Sequence, residues 1–134
     1  MVKDYHLNQI DAIAKSLVAA LKHKIILLKG DLGTGKTTLV KEIVKQLGSS
    51  EDVSSPTFGI VNELSVANAS AFHLDLYRIE NSEELQQFGF EEYLHTDDYC
   101  FIEWPEIAME LITQPHHTIT LKHVNESTRN ILFI

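Results

Sequence analysis

A single cysteine, Cys100, rules out an intrachain disulfide in this chain of 134 residues. Set in the apolar run Tyr99-Cys100-Phe101-Ile102, it reads as a buried core thiol. Long hydrophobic runs are missing too. No stretch approaches the ~20 apolar residues that a membrane-spanning helix needs, and the N-terminus shows no signal-peptide pattern. The expectation is a soluble, cytoplasmic protein with no membrane partner. Basic residues are outnumbered, 11 Lys and Arg against 19 Asp and Glu, for a formal net charge of −8. That balance argues against broad electrostatic adhesion to nucleic acid or anionic lipid. The seven histidines include no zinc-type pair. His116 and His117 are adjacent, so a strand sends them to opposite faces, and His6, His23, His95 and His123 are scattered. Repeats, low-complexity tracts and linkers are also lacking, so 1–134 reads as one compact domain with one core.

What the chain does carry is Gly30-Asp31-Leu32-Gly33-Thr34-Gly35-Lys36-Thr37, a match to G-x-x-x-x-G-K-[ST] at every fixed position. Glycines let the backbone turn tightly and aim its N–H groups at phosphate oxygens. Lys36 can reach β- and γ-phosphates as a point charge, and the Thr37 hydroxyl can ligate Mg²⁺. A helix beginning here adds its positive dipole end. The flanks suit that mechanism. Lys24-Ile25-Ile26-Leu27-Leu28-Lys29 reads as a buried strand. Residues 37–47 place Leu39, Val40, Ile43, Val44 and Leu47 at helical spacing, with Gly48 in the C-cap position. The nucleotide-contacting set is therefore Asp31, Leu32, Gly33, Thr34, Gly35, Lys36, Thr37 and Thr38.

Around this unit the periodicity predicts an amphipathic helix over 7–22. Strands are expected over 58–66 and 71–77, joined as an antiparallel hairpin through 67–70. Asn81-Ser82-Glu83-Glu84 has the form of a capping box ahead of a short helix that stops near Gly89. Residues 99–103 read as a second buried strand, 118–124 as an alternating strand and 130–134 as a last one. The pattern predicts an α/β fold, a P-loop NTPase domain whose mixed parallel and antiparallel sheet is flanked by helices.

Phosphate binding alone is not hydrolysis, which also needs acids for metal and water. Two carboxylates stand at strand ends. In Phe72-His73-Leu74-Asp75-Leu76-Tyr77-Arg78, one strand face holds Phe72, Leu74 and Leu76, and the other holds His73, Asp75 and Tyr77. His73 thus shares a face with Asp75, where it can tune the site. In Cys100-Phe101-Ile102-Glu103-Trp104, an apolar strand ends in Glu103, the general form of a Walker B acid. The plain alternatives are a solvated Asp75, an ion pair of Arg78 with Glu80 or Glu83, and solvated edge positions for Lys122 and Arg129.

Taken in order, the P-loop, Ser55-Pro56-Thr57-Phe58, His73-Leu74-Asp75-Leu76-Tyr77-Arg78 and Ile102-Glu103-Trp104-Pro105-Glu106 resemble the TsaE (YjeE) family of bacterial P-loop ATPases. The resemblance spans nearly the whole chain. It implies ATP and Mg²⁺ as ligands and a role in forming threonylcarbamoyl-adenosine beside the anticodon of certain tRNAs. It implies work with a TsaD-like transferase and a TsaB-like companion, the tRNA being held mainly by these partners. By the same resemblance, Lys36, Asp75 and Glu103 are the catalytic candidates. Thr37 and Glu103 complete the metal site, and Asp75 orients or deprotonates the attacking water or holds the metal shell. Thr57, in a switch-like loop, faces the γ-phosphate, and Trp104 lies near nucleotide or partner.

Two other P-loop classes fit less well. A small-molecule kinase normally carries a lid with arginines, and this chain has only Arg78 and Arg129. A GTPase switch usually reads guanine through N-K-x-D, a tetrapeptide that does not occur here.

Overall fold

Among the described residues, seven strands form one mixed sheet with helices on both faces. The computed structural model describes residues 1–49 and 60–134. The strands are β1 (Val2–His6), β2 (Ile25–Lys29), β3 (Val61–Val66), β4 (Ala69–Asp75), β5 (Tyr99–Glu103), β6 (His116–Asn125) and β7 (Thr128–Phe133). The helices are α1 (Ile10–Ala20), α2 (Lys36–Gln46), α3 (Ser82–Gln87) and α4 (Phe90–Leu94), with 3-10 segments at Leu7–Gln9 and Pro105–Leu111. The sheet order is β1-β7-β6-β2-β5-β4-β3. The central strand β2 runs parallel to β5 and β6, and β4 runs parallel to β5. The hairpins β3–β4 and β6–β7, and the pair β1–β7, are antiparallel.

Parallel strands are covered on both faces, and their sequences show it. Ile25, Ile26, Leu27 and Leu28 of β2 are all buried. Ile26 and Leu28 face α1 and α2, where they meet Ile13, Leu17, Leu39, Val40, Ile43 and Phe101. Ile25 and Leu27 face the opposite layer, built from Leu74, Leu85, Phe90, Cys100 and Ile102. Cys100 is fully buried, and desolvation pushes its thiol up to about 12, so it is a core group without reactivity at neutral pH. Among the described residues no helix is long and apolar enough to cross a membrane.

The start and stop signals act largely as the sequence implies. Helix α2 ends in a Schellman turn: Gly48 has φ 101°, its N–H bonds the Lys45 carbonyl at 3.1 Å, and the Ser49 N–H bonds that of Val44 at 3.2 Å. Asn81 caps α3, its Oδ1 accepting from the Glu84 N–H at 3.1 Å. The reciprocal half of the box is displaced by one residue, since Glu84 Oε2 accepts from Glu80 N–H rather than from Asn81. The β3–β4 turn is tighter than expected, with only Ala67 and Asn68 between the strands and Asn68 at φ 59°.

Three differences stand out. The helix expected over 7–22 begins at Ile10, because the His6 side chain caps a separate 3-10 turn. Strand β1 was not expected: only Tyr5 of its five residues is buried, so no alternation marks it. The 3-10 segment after Glu103 begins at Pro105, directly after Trp104, which adopts φ 56°.

Candidate functional site

The strand–loop–helix unit is built as its residues dictate. Gly30 leaves β2 at φ 150°, and a Cβ there would lie 2.7 Å from the Leu121 carbonyl oxygen and 2.8 Å from Thr34 Oγ1. Only glycine lets the loop pass this close to β6. Gly35, at φ 97°, is the N-cap of α2 and provides no side-chain cap. A helix start of this kind is an anion-binding position. Thr34 steadies the loop by donating its hydroxyl to the Asp31 carbonyl at 2.9 Å.

Above the loop lies a cavity of about 330 Å³, lined by residues 31–38 together with Asp75, Tyr77, Glu103 and Trp104. It opens at the carboxyl ends of β2, β4 and β5, where α/β sheets place their ligands. Parallel register sets Asp75 opposite Glu103 across β4 and β5. Asp75 is half-buried, and its Oδ1 accepts from the Tyr77 N–H at 3.0 Å. Glu103 is 3% exposed, and its two oxygens lie 3.1 and 2.8 Å from Thr37 Oγ1. A hydroxyl and a carboxylate in contact at the cavity floor form a hard-oxygen donor pair suited to Mg²⁺. Among the described residues no group of three or more His, Cys, Asp or Glu side chains could hold a metal ion. Phosphate oxygens would therefore have to share the coordination.

Lys36 is 5% exposed. Its ammonium donates to the Gly30 carbonyl and, at 3.1 Å, to that of Asp31, and it stands 4.0 Å from the centre of the Trp104 ring. Burial lowers its pKa, while the charges of Glu103, Asp75, Glu106 and Asp31 raise it. The backbone carbonyls and the indole face hold the cation at the P-loop. Trp104 in turn packs on Tyr77, with ring centroids 4.9 Å apart.

Every site residue expected from the sequence lines this cavity except Thr57, which lies outside the described residues along with the rest of Ser55-Pro56-Thr57. Arg78 is exposed and makes no ion pair with Glu80 or Glu83. Arg129 is no solvated edge. It is 7% exposed, donating through Nε to the Thr34 carbonyl at 3.1 Å and through a guanidinium nitrogen to the Asn125 carbonyl at 2.8 Å. It ties the β6–β7 hairpin to the P-loop. Sequence reasoning missed this role and that of Tyr77. Only the shared strand face with Asp75 hinted at Tyr77, and nothing local marked Arg129. Lys122 is exposed, as expected.

A buried central strand, a glycine loop clasping a lysine, and an acid from the neighbouring parallel strand define the class: this is a P-loop NTPase fold. A model of the family described as threonylcarbamoyl adenosine biosynthesis protein TsaE matches residues 5–131. Two relatives are named tRNA threonylcarbamoyladenosine biosynthesis protein TsaE. That of Rickettsia felis is 40% identical over 119 residues, covering 87% of this chain and 69% of its own. That of Bacillus subtilis is 37% identical over 127 residues, covering 94% and 79%. The crystal structure of Bacillus subtilis YdiB superposes with a TM-score of 0.74 at 30% identity, over 99% of this chain and 86% of that one. The chain belongs to the TsaE family of tRNA threonylcarbamoyladenosine biosynthesis.

Proposed function

We propose that this chain is a Mg²⁺-dependent ATPase whose cycle drives turnover of a tRNA-modifying complex containing a TsaD-like transferase and a TsaB-like companion. The observation that carries the reading is convergence: Lys36 and Thr37 from α2, Asp75 from β4 and Glu103 from β5 come to one cavity above a P-loop. Backbone N–H groups of the loop would cradle the phosphates, and the Lys36 ammonium would face the β- and γ-oxygens. Thr37 and Glu103 would hold Mg²⁺, which when bound neutralises phosphate charge. Asp75, at the cavity edge, orients or deprotonates the water that attacks the γ-phosphorus as ADP leaves. Trp104 and Tyr77 supply an aromatic wall. Adenine preference and the identity of the partners rest on family membership.

Calorimetry with MgATP tests the site. Wild type is expected to bind ATP with Mg²⁺ and GTP more weakly. Lys36→Ala removes a charged partner worth about 1.5–3 kcal/mol, on the order of 10–100-fold in affinity. Equal ATP affinity in the two proteins would place the nucleotide elsewhere.

A further inference from the structure

We infer that His73 is a positioning residue for Glu103: it holds the carboxylate turned toward Thr37 and thereby sets how strongly Mg²⁺ joins the bound nucleotide. The inference rests on reading the cavity as a Mg²⁺–nucleotide site. His73 lies in mid-strand on β4 and is fully buried. Its Nε2 stands 2.5 Å from Glu103 Oε2, the same oxygen that accepts from Thr37 Oγ1 at 2.8 Å. Its Nδ1 is buried and has no hydrogen-bond partner among the described residues. A ring kept there for packing alone leaves one polar atom unmatched, which opposes folding, and an apolar side chain would avoid that cost. The Nε2 contact is what the histidine supplies. His73 does not line the cavity whereas Glu103 does, so it acts through Glu103.

A competing attraction gives the contact its purpose. Glu103 and the Lys36 ammonium interact electrostatically across the site. A carboxylate free to turn would swing to that cation and leave the Thr37 hydroxyl. Donation from the buried imidazole fixes one carboxylate oxygen from behind, in the way outer partners orient metal ligands.

The test is a Mg²⁺ titration of ATP binding, read by calorimetry and independent of hydrolysis. Gln places its amide nitrogen near the position of Nε2. Asn places it nearer Nδ1, short of Glu103. His73→Asn and His73→Leu should need about 10-fold more Mg²⁺ to reach the tight-binding state, the low end for losing such a partner. His73→Gln should recover most of the loss, and in a Glu103→Ala background none of the three changes should add further loss. Should the Leu variant fail to fold, the Gln–Asn pair still decides, since both are polar and differ in reach. Unchanged Mg²⁺ dependence in His73→Asn, or no recovery in His73→Gln, overturns the inference alone. Wild type that binds no nucleotide overturns the functional reading and this assignment with it.

Discussion

Two buried polar side chains outside the cavity show how single residues hold this site and its frame. Arg129 spans the P-loop and the β6–β7 hairpin through the carbonyls of Thr34, Asn125 and Thr128. Removing it takes this donor from the buried Thr34 carbonyl, at about 1–3 kcal/mol. Arg129→Ala should lower the melting temperature by several degrees and weaken nucleotide binding as the loop loosens. Arg129→Lys should restore little, because an ammonium lacks the planar fork. A thermal melt unchanged by Arg129→Ala would count against this tie. At the far end of the sheet, His117 Nε2 accepts from the N–H groups of Lys22 and His23 at 2.9 and 3.1 Å, and Nδ1 donates to the Ile134 carbonyl at 3.2 Å. This pattern requires a neutral ring. Burial lowers its pKa first; His23, His116 and Lys22 lower it further, against the Ile134 bond. The unfolded chain takes up the proton near pH 6.5, and the folded chain resists it to lower pH. Stability is therefore full above about 6.5 and lost as pH falls toward the folded value. Urea titrations at pH 7.5 and 5.5 should show the loss in wild type and a smaller one in His117→Gln. Equal pH dependence in both would remove His117 as the cause.

At the scale of elements, the P-loop is the tightest constraint. Gly30→Ala would drive a Cβ into the Leu121 backbone and strain φ at 150°. The variant should bind nucleotide far more weakly than wild type, whereas Asn81→Ala, a lost cap on α3, should cost only about 1 kcal/mol and leave binding alone. Binding by Gly30→Ala at wild-type affinity would contradict the loop geometry. Elements with strong local signals were legible from the sequence: the strand–loop–helix unit, the caps at Gly48 and Asn81, the β3–β4 hairpin, and the strand ending in Glu103. So were the cavity residues that the motifs name. Elsewhere the deciding contact is distant in sequence. β1 forms because Tyr5 pairs opposite Arg129 on β7. Arg129 is buried because the P-loop carbonyl of Thr34 lies above it. The clasp of Lys36 by Trp104 depends on the left-handed turn before Pro105. No window of local sequence contains both partners of any of these contacts.

For the molecule as a whole, arginine supply is the telling quantity. The chain has two arginines, of which Arg129 is buried against the loop and Arg78 is exposed away from the cavity lining. Groups donated in trans raise phosphoryl-transfer rates by about 10³–10⁵-fold. The isolated chain should thus hydrolyse ATP slowly, and the partner complex should accelerate it. With a net charge of −8 the chain is poorly suited to grip tRNA, which the partners would hold. ATP binding and hydrolysis would then reset the complex after each modification. The most direct measurement is threonylcarbamoyl transfer to tRNA by purified partners, comparing wild type with Glu103→Ala. The Glu103→Ala chain should assemble with the partners yet support no multiple turnover; as many turnovers as wild type would contradict the link between hydrolysis and resetting.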